Sequence, residues 1–147
     1  MTESKESKSD HLSAPVEKEF ARESLEHMLG FKFFIDEKHQ VTIKCPIESK
    51  HLNLRKDVHG GVIAALADTA TGVAFSVHDG QLVSSATVDL DIKFIKSVKA
   101  GTLIARPKVL RRGSRLGFVE CEIRNDDDTL IAKASGTFAI LASLPRP

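Results

Sequence analysis

The sequence predicts an α+β fold in which a curved antiparallel β-sheet wraps around one long central α-helix. Three observations carry that expectation. The run from Gly60 to Phe75 is apolar on nearly every side of a helix and needs something packed around it. Val88, Leu90, Ile92 and Phe94 alternate with Asp89, Asp91 and Lys93, which is the period of a strand. The strand-like segments after Gly80 follow one another across short turns, which favours antiparallel pairing.

Taken in order, residues 1–15 are polar and mixed in charge and read as a disordered tail before a single domain over residues 16–147. Val16, Phe20, Leu25, Met28 and Leu29 are spaced for a helix that stops at Gly30. Phe31 to Ile35 and Gln40 to Cys45 form a hairpin around Asp36-Glu37-Lys38, and His51 to Val58 is a polar loop leading into Gly60-Gly61. The long helix follows and ends near His78-Asp79-Gly80. After the strand through Val88 come strands over Gly101–Leu110, Leu116–Ile123 and Leu130–Leu141, joined by turns at Arg111–Ser114 and Asn125–Asp128.

Composition narrows the function classes. A net charge of +1 over 147 residues argues against a broad electrostatic commitment to nucleic acid or membrane, and the lack of Trp and Tyr argues against base stacking. The N-terminus has no apolar core of a secretory signal, and the apolar helix is interrupted by Gly, Asp and Thr, so a cytoplasmic protein without a membrane span is expected. Cys45 and Cys121 are expected as buried free thiols. His11, His27, His39, His51 and His78 make no ligand spacing, so no metal and no cofactor is expected.

Asp68 is the outlier. A carboxylate in an apolar helix costs several kcal/mol, on the order of a buried ion's penalty, unless it is paired or used. A wheel of 100° per residue puts Gly61, Ala64, Ala65, Thr71 and Gly72 on the face of Asp68, with Phe75 close to the same line. Ile63, Leu66, Ala70, Val73 and Val77 fall on the opposite face. The acid therefore stands in a groove floored by small residues, with room for a second subunit or a substrate. At the helix start, Gly60 and Gly61 offer unobstructed N–H groups at the positive end of the dipole, suited to an oxygen that gains charge. Asp57 is the simplest N-cap. A base or nucleophile two turns from an oxyanion site suits acyl transfer, the hydrolysis of an ester or thioester.

Asn53, then His59-Gly60-Gly61 after six residues, then Asp68 nine residues after that histidine, resembles the signature of hotdog-fold acyl-CoA thioesterases of the PaaI-like, phenylacetate-pathway type. The resemblance covers roughly residues 20 to 141 and implies the hotdog fold. It implies that Asp68 acts as general base or nucleophile, that the Gly60 N–H polarises the thioester carbonyl, and that Asn53 orients the attacking water. It gives His59 a role in holding the loop and makes Thr87 a hydroxyl that assists the acid. It also implies a site built across a dimer, Asn53 and Gly60 of one subunit facing Asp68 and Thr87 of the other, with dimers pairing into tetramers. By simple alternation Thr87 falls on the Asp89/Asp91 side of its strand. A role beside Asp68 then needs a bulge, or a partner at that side, or another residue. Gly61 and Phe75 are expected to line the acyl groove. Arg111, Arg112 and Arg115, with Arg106 and Lys108, form a basic cluster expected to seat the phosphates of coenzyme A, itself part of the substrate. The alternative is an acyl-CoA-binding module or sensor on the same fold without catalysis; a dehydratase fits the His59–Asp68 arrangement poorly.

Overall fold

A computed structural model of the chain describes residues 23–145. The tail and the first part of the N-terminal helix expected from sequence lie outside them. What is described of that helix is one turn, α1 (Leu25–Met28), capped by the Ser24 hydroxyl and ended by Gly30 at φ +70°. Strands β1 (Lys32–Ile35) and β2 (Val41–Pro46) form the expected hairpin. Its turn closes because Asp36 Oδ1 accepts the amides of Lys38 and Gln40 at 2.8 and 2.9 Å. The long helix α2 runs Gly60–Ser76, and β3 (Val83–Phe94), β4 (Thr102–Arg112), β5 (Leu116–Arg124) and β6 (Leu130–Ser143) follow.

All six strands form one antiparallel sheet in the order β1-β2-β4-β5-β6-β3. The chain order is not the sheet order. β3 leaves α2 for the far side, pairs with β6 and forms an edge, while β4 returns to β2. The sheet curls round α2, which touches β2, β3, β4, β5 and β6. Val41, Ile43, Cys45, Leu103, Ala105, Ile123, Ala132 and Ala134 face it, and Leu66, Ala67 and Ala70 of the helix are buried among them. The length and apolarity of α2 would also suit a membrane span, but eight of its 17 residues are already covered by the fold.

The uncovered stripe of α2 differs from the simple wheel. It passes through Gly61, Ala64, Ala65, Asp68, Thr69, Gly72, Val73 and Ser76, all exposed or half-buried. Thr71 and Phe75 are fully buried instead, and Val73 and Val77 are half-buried. The expectation that Phe75 shares a groove with Asp68 is therefore corrected. Its ring stacks on Phe138 at 5.4 Å between centroids and lies so close over Gly117 that any Cβ there would strike it. Phe75 is a core residue held by a glycine in the facing strand.

Three bulges re-aim side chains. In the β3–β6 ladder Val83↔Ser143 and Asp89↔Thr137 keep one register, while Ser85↔Ile140, Ala86↔Ala139 and Thr87↔Phe138 are offset by one. The extra residues are Leu141 on β6 and Val88 on β3, so the two shifts cancel in register, while Val88 reverses the phase of β3: Val83, Ser85 and Thr87 face the helix before it, and Leu90 and Ile92 after it. Val88 drops out of the row formed with Leu90 and Ile92 and is 59 % exposed. In β4 a shift between Val109 and Arg111 makes Leu110 the extra residue and turns Arg112 rather than Arg111 towards the helix.

Cys45 and Cys121 are free and buried. Burial pushes the Cys45 thiol up to about 11 and the Cys121 thiol up to about 12, from an ordinary 9.0. Both stay protonated where the unfolded thiols ionise. Their burial thus favours the fold fully below pH 9.0, and that contribution is lost as pH rises through the folded values. Neither thiol should react with Ellman's reagent in the native protein at mildly alkaline pH, and both should react on unfolding in guanidinium. Rapid native labelling would contradict this packing.

Candidate active site

The loop ahead of α2 is held from several directions before it delivers the glycine pair. His51 is completely buried, with Nδ1 accepting the Glu48 amide and Nε2 donating to the Leu29 carbonyl, both at 2.9 Å. That arrangement uses both ring nitrogens of a neutral imidazole. The His51 carbonyl then accepts the His59 amide at 2.8 Å, and the Val58 amide donates to Val98 at 2.8 Å. Asn53 folds the intervening turn: its Oδ1 accepts the amides of Arg55 and Asp57 at 2.9 and 3.2 Å, and its own amide donates to the Asp57 carbonyl at 2.7 Å. The Nδ2 amide of Asn53 makes no hydrogen bond among the described residues.

The N-cap of α2 is His59, not Asp57 as the sequence suggested. The Asp57 carboxylate instead faces Lys99 at 3.3 Å and Arg55 at 3.7 Å, bracing the loop against the segment after β3. His59 Nδ1 accepts the Gly61 amide at 2.8 Å, so that nitrogen is unprotonated and the ring proton sits on Nε2. The His59 carbonyl takes the Val62 amide at 2.9 Å. One amide of the first turn is left over. The Gly60 N–H has no partner among the described residues and stands at the positive end of the helix. Gly61, expected beside it as a donor, has its N–H occupied by His59.

Asp68 is half-buried on the open stripe of α2, and no cation pairs with it among the described residues. Its Oδ1 accepts the Thr87 hydroxyl at 2.8 Å. The extra residue Val88 puts Thr87 there against the alternation of Leu90 and Ile92, and in the same row Ser85 meets Ser76 of the helix at 3.0 Å. The second carboxylate oxygen carries no hydrogen bond from a described residue. One oxygen fixed and one open is the arrangement of a positioned base or nucleophile.

The expected basic cluster separates into three places. Arg111 and Arg115 are exposed near the β4–β5 turn and form no ion pair among the described residues. Arg112 turns inward: Nη1 donates to the Phe75 carbonyl at 2.7 Å and to the Gln81 carbonyl at 3.3 Å, Nη2 to Gln81 Oε1 at 3.2 Å, and the guanidinium lies over the Phe75 ring. It satisfies the C-terminal end of α2, which corrects its placement in a phosphate seat. Burial pulls its pKa below the ordinary value, with Asp79 acting in the other direction. Arg106 and Lys108 line a cleft of about 750 Å³ between the hairpin, β4 and the end of α2, where Pro107 follows the last β2–β4 pair, Ile43↔Ala105.

Two residues at the site were not singled out from sequence. His51 lay in a polar loop with no periodicity to mark it. Phe94 belonged to an alternating run that reads as core, yet its ring packs on Gly60, with ring carbons 3.4 and 3.6 Å from where a Cβ would stand.

Residues 56–132, a little over half of the chain, match the family described as the Thioesterase superfamily. The chain belongs to that superfamily. The match contains His59, Gly60, Asp68 and Thr87 and begins after Asn53. A Saccharolobus solfataricus protein named as an inferred esterase is 29 % identical over 119 residues, spanning 81 % of this chain and 79 % of its own. Among solved structures, the E. coli PaaI protein from the phenylacetic acid degradation operon superposes with TM-score 0.77 at 24 % identity, over 88 % of this chain and 91 % of that one. A hypothetical thioesterase protein of Streptococcus pneumoniae, crystallised with coenzyme A, gives TM-score 0.72 at 18 % identity over 79 % and 89 %. These likenesses establish the hotdog fold for this thioesterase-superfamily chain, as the sequence led one to expect.

Replacing Arg112 by Ala should lower stability by ~2 kcal/mol in urea denaturation, the scale of a hydrogen bond to a charged group. An unchanged midpoint would show that Arg112 does not hold the helix end.

Proposed function

We propose that the protein is an acyl-CoA thioesterase, cleaving an aromatic or short- to medium-chain acyl-CoA to the free acid and coenzyme A. One observation carries the reading: a helix presents a single unpartnered N–H at its start and an unpaired carboxylate in its middle. The Gly60 amide points out along the helix axis, away from Asp68. The two residues are eight apart, about 12 Å of rise. A carbonyl oxygen on that amide lies farther still, beyond reach of the same chain's carboxylate. Two copies related by a two-fold axis remove the difficulty, each lending its Gly60 to the other's Asp68. β3 is an edge strand that carries Thr87 beside Asp68, and its free side gives a second copy a place to pair. A dimer, doubled to a tetramer, is therefore part of the proposal.

In the mechanism the thioester carbonyl accepts the Gly60 N–H, and the developing oxyanion is stabilised by that amide and the helix dipole. Asp68 of the other subunit, oriented by Thr87, takes a proton from water held by the Asn53 amide as that water attacks, or attacks the carbonyl itself to form an anhydride that water then hydrolyses to the free acid and the carboxylate. The tetrahedral intermediate collapses and expels the coenzyme A thiolate, which takes up a proton from solvent. His59 keeps Gly61 occupied, so the carbonyl meets one donor in one place. Arg111 and Arg115 attract the phosphates; the coenzyme A in the Streptococcus pneumoniae structure supports a ligand of that kind.

A thiol-release assay across an acyl-CoA panel tests the reading. Asp68→Asn should lower kcat by about 10² or more with KM little changed. Full turnover by that variant would overturn the assignment, and tight binding without hydrolysis by the wild type would favour a binding module. Reversing the charges of Arg111 and Arg115 should raise KM for coenzyme A esters and leave acyl-N-acetylcysteamine thioesters, which lack the phosphates, unaffected. An equal rise for both would remove the phosphate seat.

A further inference from the structure

Phe94 is the last residue of β3 and lies opposite Ala132, which puts it on the helix-facing side in the row of Leu90 and Ile92. Those two are half-buried against the core, whereas Phe94 is 58 % exposed. The reason is its position at the rim, where α2 begins. Its ring rests on the backbone of Gly60, the residue whose N–H has no partner. A side chain at position 60 would push the ring away, so the glycine leaves both the amide and the ring accessible.

The charges of β3 are on the other side of the strand. Asp91 and Lys93 pair with each other at 2.6 Å, and Asp89 faces Thr137 in the same outward row. Beside the free amide this strand therefore presents an open aromatic ring and no charge of its own. A thioester carbonyl on that donor has two substituents to place. The pantetheine arm is rich in amides and needs polar partners, which a phenyl ring does not supply. The acyl substituent needs none when it is apolar.

We propose that Phe94 determines acyl specificity, its ring serving as the platform for an apolar cyclic acyl substituent, aryl or cycloalkyl, on a carbonyl held by Gly60. This inference rests on the thioesterase reading and deepens it by naming the substrate class. Stacking on the ring favours phenylacetyl and cyclohexylacetyl groups, acetyl gains almost nothing from it, and a succinyl group is disfavoured by bringing its carboxylate onto the ring.

The test is kcat/KM for phenylacetyl-, cyclohexylacetyl-, acetyl- and succinyl-CoA with wild type, Phe94→Ala and Phe94→Leu, together with the mass of each in solution by light scattering. Phe94→Ala should lose about tenfold on the two cyclic substrates and less than about twofold on acetyl-CoA, with its oligomeric mass unchanged. Phe94→Leu, which keeps apolar volume and secures the test if the alanine variant does not fold, should lose more on phenylacetyl- than on cyclohexylacetyl-CoA. An equal loss on all four substrates, or a change in mass, would make Phe94 a structural or interface residue and overturn the proposal. Wild-type turnover with unaltered selectivity in both variants removes the Phe94 assignment alone. A wild type that hydrolyses no acyl-CoA removes the thioesterase reading as well.

Discussion

The first turn of α2 distributes four amides among fewer acceptors, and that constraint sets the chemistry. His59 supplies two of the acceptors, its ring for Gly61 and its carbonyl for Val62, and the count leaves Gly60 with nothing. In water such an amide is satisfied by solvent and has no consequence. Here it sits at the rim of an apolar core, next to an aromatic ring, where an acceptor that becomes negative is worth more than water. The hydrogen bonds behind it, His51 accepting from the Glu48 amide and donating to the Leu29 carbonyl, hold the loop that aims it.

The second constraint is the reach of the sheet. Six strands curl far enough to cover the core side of α2, yet leave open a stripe of mostly small residues that carries one aspartate. Small residues there keep the groove shallow enough for another surface to approach the acid closely. Ion pairing, which would make a half-buried carboxylate merely structural, is missing among the described residues; a hydroxyl orients it instead. Orientation without neutralisation keeps the carboxylate available as a base.

How much of this was legible in the sequence follows from which interactions are local. The long apolar helix, its lone acid and the glycines at its start were readable because they depend on residues near one another in the chain. The alternation of Leu90 and Ile92 was readable for the same reason. The inward turn of Thr87 and Arg112 was not, because a bulge is a mismatch between two strands and neither strand alone records it. Phe75 was misplaced on the wheel because its burial depends on Gly117, 42 positions later, giving it space. Residue preference points to Asp57 as the cap, whereas backbone closure by His51 and Val98 carries the loop two residues further to His59. Sheet order was equally hidden, since nothing in the strands themselves sends β3 past three others to the edge.

The paired shifts in the β3–β6 ladder separate two things that usually travel together, the register of a strand pair and the inward phase of each strand. The extra residue on each strand restores the pairing, yet Val88 reverses β3, so the hydroxyls of Ser85 and Thr87 face the helix in the row of Val83 while Leu90 and Ile92 face it from the opposite parity. A relative that differs by one residue of length within this strand therefore carries the groups that steer its acid at a different count from Leu90 and Ile92. Residue-by-residue alignment that admits no gap inside this strand would pair a steering hydroxyl in one relative with an outward-facing side chain in another, and so mistake an active site for a vacant one.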